Sequence, residues 1–259
     1  MTSIKETALA CAVASLLMAN TALAQDKTDG LWRGTGGAAL AMTRGNTDTS
    51  ALNLTADAVN ATAQDKLGLG GAYNYGKSKT AGVSNTTADK WNAYGQYDYN
   101  LSPQAFVFGK LGFEADKLVH LDLRASAAGG LGYKVIATKE LNFSLFGGAA
   151  YSADQYGVPQ TIGSSTGKHF QRSSVYLAEE SAHQLSATTA FKQRLDFYPG
   201  LSGDKAKLAK FSAGLAVAMN STLNLTVSLT ANYNSAPPAG NKKNDLGLFT
   251  GINVKLGAN

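Results

Sequence analysis

The residues that could do chemistry are few. There are three histidines, His120, His169 and His183, far apart in the chain. Nucleophilic catalysis needs a hydroxyl within reach of a base. Only His183, with Ser181 or Ser186 close by in sequence, offers that combination. A lipid hydrolase carried on a membrane barrel would use such a Ser and His on its lipid face, and an exposed polar strand end accounts for the same residues. Glu179-Glu180 and Glu114 with Asp116 have the residue types for acid–base work. They read more simply as solvated strand ends. No histidine has a metal-like spacing to another His or Cys. The glycine pairs Gly70-Gly71, Gly129-Gly130 and Gly147-Gly148 are followed by no helical pattern, which a phosphate-binding loop requires. The expectation is a protein that is not an enzyme and holds no cofactor or metal.

A larger set of polar residues recurs at every second position. Lys90, Asn92, Gln96 and Asp98 share one parity, as do Asp122 and Arg124 further on. Lys110, Glu114, Lys192, Arg194 and Asp196 join them from two other segments. Only extended strands point alternate side chains to one face. The stretch Leu121 to Val135, LDLRASAAGGLGYKV, shows the rule most clearly: odd positions are apolar or small, and the even ones carry every charge. It exceeds the usual strand length and suits a tilted membrane-crossing strand, which needs roughly 9–11 residues.

The same alternation predicts twelve strands, at about 32–44, 49–61, 66–77, 89–101, 105–115, 121–135, 141–152, 173–185, 189–198, 205–219, 223–233 and 245–256. The eighth is the least regular, because Glu179, Glu180 and His183 interrupt it, and Phe106 and Phe108 blur the fifth. Segments 78–88 and 154–172 read as polar loops. Tight links at 64–65, 102–104, 137–140, 186–188 and 220–222 fall on one side, and the longer links on the other. That sorting requires the eighth strand, so the count is twelve. The fold class is all-β, an antiparallel up-and-down transmembrane β-barrel. Tyr75, Trp91, Tyr151, Phe197 and Tyr233 would lie near the outer boundary of its lipid face, and Tyr97, Tyr99, Tyr133 and Phe143 near the inner one. Two such aromatic girdles flank the apolar band of membrane barrels. A soluble periplasmic β-barrel binding an apolar ligand is the competing fold, and would turn these aromatics inward.

Composition agrees. Charged residues make up 16% of the 259, below the roughly 25% typical of soluble proteins. Outside the N-terminus no apolar run is long enough for a membrane helix. The net charge of +5 is scattered, without the basic cluster that nucleic acid would need. Residues 1–24 carry Lys5, an apolar stretch from Ala8 to Met18, and Ala22-Leu23-Ala24 before Gln25. This reads as a signal peptide, leaving 25–259 as the barrel domain. The single cysteine, Cys11, falls within that leader, so neither disulfides nor thiolate sites are expected in the secreted protein.

From about residue 32 to 256 the chain resembles the YdiY-like family of salt-induced outer-membrane proteins, whose function is unknown. The likeness rests on Gly45-Asn46-Thr47-Asp48-Thr49, on Phe197-Tyr198-Pro199, and on the run from Tyr233 through Pro237-Pro238 to Asp245. It implies a bacterial outer-membrane barrel whose abundance responds to salt, with outer-membrane lipids, lipopolysaccharide and the insertion machinery as partners. It carries over no catalytic or ligand residue. Such barrels normally end on an aromatic, whereas here the last strand ends Val254-Lys255-Leu256. Function is expected to be a narrow passive channel for small solutes or ions, or a structural role in the envelope. The alternatives are a membrane-embedded enzyme acting on lipid or lipopolysaccharide, and the soluble ligand binder.

Overall fold

The computed structural model describes residues 27–44, 47–203 and 205–257. The leader 1–24, with Cys11, and the Gly45-Asn46 turn lie outside the described residues. Twelve strands follow one another in chain order: β1 (Asp29–Thr43), β2 (Thr47–Thr62), β3 (Asp65–Thr80), β4 (Val83–Asn100), β5 (Ala105–Asp116), β6 (Leu121–Ala137), β7 (Leu141–Ile162), β8 (Ser165–Gln184), β9 (Thr189–Pro199), β10 (Lys207–Ala218), β11 (Leu223–Asn234) and β12 (Asn244–Gly257). Each pairs antiparallel with its neighbours, and β1 closes on β12 to complete the barrel. The closing seam is short: Arg33 to Ala38 against Gly257 to Ile252.

Every link between neighbouring strands is local. The turns at 63–64, 101–104, 138–140, 185–188 and 219–222 gather at one end, hereafter the turn end. At the opposite, loop end lie the links at 81–82, 117–120, 163–164 and 235–243, together with residues 44, 200–203 and 205–206. Two segments expected as polar loops are strand instead. The β3–β4 hairpin runs on to a two-residue turn, Ala81-Gly82, both at positive φ. That is the backbone shape a tight two-residue hairpin favours. The β7–β8 hairpin likewise extends to a turn at Gly163-Ser164. The β3–β4 extension is polar on both faces, and in β7 the apolar positions switch parity, from Leu141–Tyr151 to Tyr156, Val158 and Ile162, so neither extension continues the alternation of the wall.

The tall β7–β8 hairpin bends where its register shifts between Gln155 and Gln160. Beyond the bend, Tyr156 and Ile162 bury with Leu121, and Val119, Phe170 and Ala236 pack around them. The Ala239 amide donates to the Thr161 carbonyl at 3.2 Å, joining the hairpin tip to the β11–β12 loop. These contacts tie the loops after β5, β7 and β11 together at the loop end.

The outward face is apolar. Leu40, Leu69, Leu111, Leu131, Leu215, Leu225, Leu248 and Ile252 stand exposed on β1, β3, β5, β6, β10, β11 and β12. Also exposed are Trp91, Tyr97, Tyr99, Tyr133, Tyr151 and Tyr233. Tyr75, Phe143 and Phe197 share that face by parity and are half-buried against neighbours. The Tyr97 hydroxyl donates to Asp65 at 2.9 Å and that of Tyr133 to Gln104 at 3.0 Å, so both reach polar groups at the turn end.

The inward face is not uniformly polar. Phe106, Phe108, Phe146, Tyr176 and Ala178 form a buried cluster, with Tyr198 packed against it. Phe146 meets Phe106 and Phe108 edge-on at centroid distances of 5.4 and 5.5 Å, the geometry ring quadrupoles favour. Phe106 and Phe108 therefore follow the parity of β5 and point inward, which is why they blurred its polar face. The rings need room on β6: a Cβ on Gly132 would sit 2.1 Å from the Phe106 ring. Gly132→Val is expected to displace Phe106 and destabilise the barrel by about 1–3 kcal/mol, as overpacking does. Denaturant unfolding in detergent, followed by tryptophan fluorescence, measures it.

Candidate functional site

The lumen is where the alternating polar residues converge, because a closed sheet turns one parity of every strand toward a common axis. Two layers of charge cross it. Nearer the loop end, Arg124 on β6 holds Asp154 on β7 through two guanidinium hydrogen bonds, Nε to Oδ1 at 2.6 Å and Nη2 to Oδ2. Its third nitrogen, Nη1, donates to Glu114 on β5 at 2.6 Å. Lys210 on β10 then reaches across to the other oxygen of Glu114 at 2.8 Å. Fork-shaped guanidinium pairing of this kind is the strongest charge-assisted contact available to side chains.

The second layer centres on Arg194 and Asp196 of β9. Arg194 donates to Asp196 at 3.1 Å, to Glu180 on β8 at 2.6 Å and to Gln96 on β4 at 3.2 Å. It also donates to the Tyr176 hydroxyl at 2.8 Å and lies 4.9 Å from the Phe146 ring centroid. Tyr176 in turn donates to Asp196. Lys110 on β5 reaches Asp196 from across the barrel at 3.2 Å, passing near the rings of Tyr94 and Tyr176. Asp196 is 1% exposed, so both cations compensate a carboxylate that water does not reach.

β5 and β10 stand five places apart in the ring of twelve, as do β4 and β9. Lys210–Glu114 and Arg194–Gln96 thus cross the lumen near-diametrically, and Lys210 and Lys110, five and four places from the strands of their carboxylates, act as struts. Below them, toward the turn end, a cavity of roughly 500 Å³ extends from Thr62, Pro103, Glu140 and Gln184 to Lys110, Arg194 and Lys210. Lys66, Asp98, Lys134 and Lys192 line its wall, so both signs of charge face it.

Of the residues expected in the lumen, Gln96, Lys110, Glu114, Arg124, Arg194 and Asp196 meet in this lattice. Asn92 and Lys192 line the cavity, and Asp98 accepts from Gln96 at 2.9 Å. Lys90 lies opposite Asp116 in the β4–β5 register, toward the loop end. Asp122 departs from expectation. The register of β6 shifts between Leu121 and Leu123, and Leu121 takes the buried position while Asp122 is exposed. A bulge reverses the parity of whatever precedes it.

Sequence reasoning missed Asp154, Tyr176, Glu180 and Lys210. Asp154 lay in an expected loop. Glu179 and Glu180 are adjacent and read as one acidic pair, yet the two point to opposite faces, and only Glu180 enters the lattice. Parity alone would have placed Glu180 and Lys210 inward. Asp116 takes no part in acid–base pairing: its carboxylate accepts from the Leu118 amide and caps the short 3-10 turn Lys117–Val119. In that turn Lys117 reaches Asp89 at 2.8 Å, and the hydrogen bond and charge of Asp89 hold its ammonium pKa above the usual lysine value. Among the described residues no group of three or more His, Cys, Asp or Glu could hold a metal ion.

Fold and site together define a closed twelve-stranded antiparallel β-barrel with an apolar outer surface and a lumen crossed by ion pairs. The chain matches the model of a family described as "Protein of unknown function, DUF481" over residues 36–256, and it belongs to that family. The resemblance read from its sequence was likewise to a family of unknown function. It matches no curated protein. Among solved structures it is similar to an outer membrane channel from Pseudomonas putida F1, at 10% identity and a TM-score of 0.48, over 88% of this chain and 96% of that one. The NanC porin is similar at 12% identity and a TM-score of 0.43, over 86% and 97%. The translocator domain of the autotransporter NalP from Neisseria meningitidis is similar at 9% identity and a TM-score of 0.42, over 93% of each chain.

The lattice carries a stability prediction. Asp196→Ala leaves Lys110 and Arg194 without the carboxylate they share, and removing one partner of a buried ion pair is strongly destabilising, by about 3–5 kcal/mol. Urea unfolding of the folded barrel in detergent is expected to show that loss.

Proposed function

We propose that this protein is a bacterial outer-membrane β-barrel that acts as a narrow passive channel for small solutes and ions. Its apolar circumference supports the membrane setting. A band of exposed Leu, Ile and Val flanked by Trp and Tyr would drive association in water, and lipid covers it without penalty. Passage through the lumen is the activity the architecture favours.

The observation that carries the channel reading is the nature of the crossing groups. The struts are long lysine side chains reaching carboxylates that a neighbouring arginine also holds. Lys210 and Lys110 can swing aside while Glu114 keeps Arg124 and Asp196 keeps Arg194. A layer of this kind narrows the lumen without sealing it as an apolar plug would. Both signs of charge face the cavity, so ions of either sign find partners and selectivity is weak.

Planar-bilayer recording tests this. The wild-type protein is expected to give small, stable conductance steps with little preference between cations and anions. The double variant Lys110→Ala with Lys210→Ala removes both struts without stranding an acid, and its steps are expected to be larger. An inserted, heat-modifiable barrel that conducts in neither form would reject the channel and leave a structural role.

A further inference from the structure

The outer surface is apolar on strand after strand, broken by isolated residues such as Thr250 on β12 and by one cluster of polar groups. From Ala105 to Ala115 on β5 and from Leu123 to Tyr133 on β6, every outward position is apolar, aromatic or glycine. The same holds from Leu141 to Tyr151 on β7, and from Ala209 to Val217 on β10. On β8 and β9 the outward row instead contains Glu179, Ser181, His183 and Gln193. Their strand parity is opposite to that of Tyr176, Glu180, Arg194 and Asp196, which face the lumen. They lie together: Ser181 is directly opposite Gln193 and His183 opposite Phe191. Gln193 Nε2 donates to Glu179 Oε2 at 3.3 Å, and His183 Nε2 is 3.1 Å from Ser181 Oγ. Leu141, Phe143 and Leu145 of β7 frame the group on one side, with Phe191 and Leu195 of β9 on the other.

Lipid tails offer these groups no hydrogen bonds, and polar side chains facing lipid are costly unless a partner satisfies them. A hydrolytic site is the first possibility their chemistry raises. Ser181 is 4% exposed, which keeps an ester carbonyl from its hydroxyl, and among the described residues no carboxylate hydrogen-bonds His183 to orient it. The arrangement fits contact between proteins better. All copies of a membrane barrel insert in the same orientation, so two copies meet about an axis parallel to the barrel axis, with equal depths facing. Glu179 and Gln193 are diagonal neighbours whose side chains meet through their hydrogen bond, so they lie at similar depth. Across such an axis the second oxygen of each Glu179 can accept from the Gln193 amide of the other copy, and the apolar frame closes around the polar centre. The patch is complementary to itself.

We propose that the β8–β9 wall is the self-association surface of the protein, and that the partner is a second copy of this chain. The inference rests on the membrane setting proposed above. It assigns a role to the residues that made β8 the least regular strand.

Site-specific cross-linking in membranes tests it. Leu177→Cys lies beside the patch on β8 and Leu54→Cys lies on β2, six strands away, at the opposite side of the ring; the two leucines are 47% and 41% exposed. Oxidation is expected to give severalfold more dimer from Leu177→Cys than from Leu54→Cys. Adding Glu179→Leu and Gln193→Leu to Leu177→Cys is expected to bring the yield down to the Leu54→Cys level. A heat-shift gel on every variant reports whether the barrel has folded. Variants that fold only without lipid or detergent would strike down the membrane setting itself. Folded barrels with equal yields at the two positions, or a yield indifferent to Glu179 and Gln193, would overturn the self-association surface alone. Fatty-acid release from phospholipid vesicles that vanishes in Ser181→Ala would also overturn it, making the patch an active site.

Discussion

Backbone hydrogen bonding is the constraint from which the rest of this structure follows. A sheet presented to hydrocarbon has no water to satisfy an open edge, so every strand must find a neighbour on both sides. Here β1 meets β12, and no strand is left at an edge. Once the sheet is closed, each side chain has two choices only, toward the axis or away from it. The apolar belt and the charged lumen are the two halves of that single division.

The lumen shows how the inner half is filled. An eight-stranded barrel is filled by its own side chains and a barrel of sixteen strands holds an aqueous channel, which leaves twelve strands between them. The space is divided unequally. Aromatic rings from β5, β7, β8 and β9 fill one side. Small polar residues, Thr35, Asn74, Ser212, Thr226, Thr230 and Asn253, line the other. Arg194 belongs to both regimes, lying over the Phe146 ring and beside Asp196 at once. An arginine can do this because its guanidinium is planar and weakly hydrated. The cross-lumen lysines then link walls that share no backbone contact.

Much of this could be read from the sequence, for a reason visible in particular segments. Between Leu223 and Tyr233 every odd residue is apolar and every even one polar, and β11 spans Leu223–Asn234. Where one face meets grease and the other water, composition records the geometry. Where both faces meet water, it records nothing, and so the outer parts of β3 and β4 read as loops; those of β7 and β8 read as loops because their apolar residues, Tyr156 and Ile162 among them, sit on the opposite parity. Where the inner face is itself aromatic, as at Phe106 and Phe108, the signal is confused rather than lost. The parity rule gave the direction of Gln96, Lys110 and Asp196 but not their partners, because cross-lumen distance depends on ring size and stagger. The bulge that turns Asp122 away has no mark in the sequence at all.

The seam has a consequence for how the barrel comes into being. Eleven of its twelve strand pairings join segments adjacent in the chain, and the twelfth joins the first strand to the last. Local pairings close small loops, whose entropy loss is modest, whereas the seam must close the entire chain into a ring. It does so with six residue pairs, fewer than the thirteen that join β1 to β2. The most expensive contact in conformational freedom is therefore one of the least rewarded in hydrogen bonds. Such a ribbon gains hairpins as they emerge but becomes a cylinder only when its final residues are available, so assembly is all-or-none at its last step.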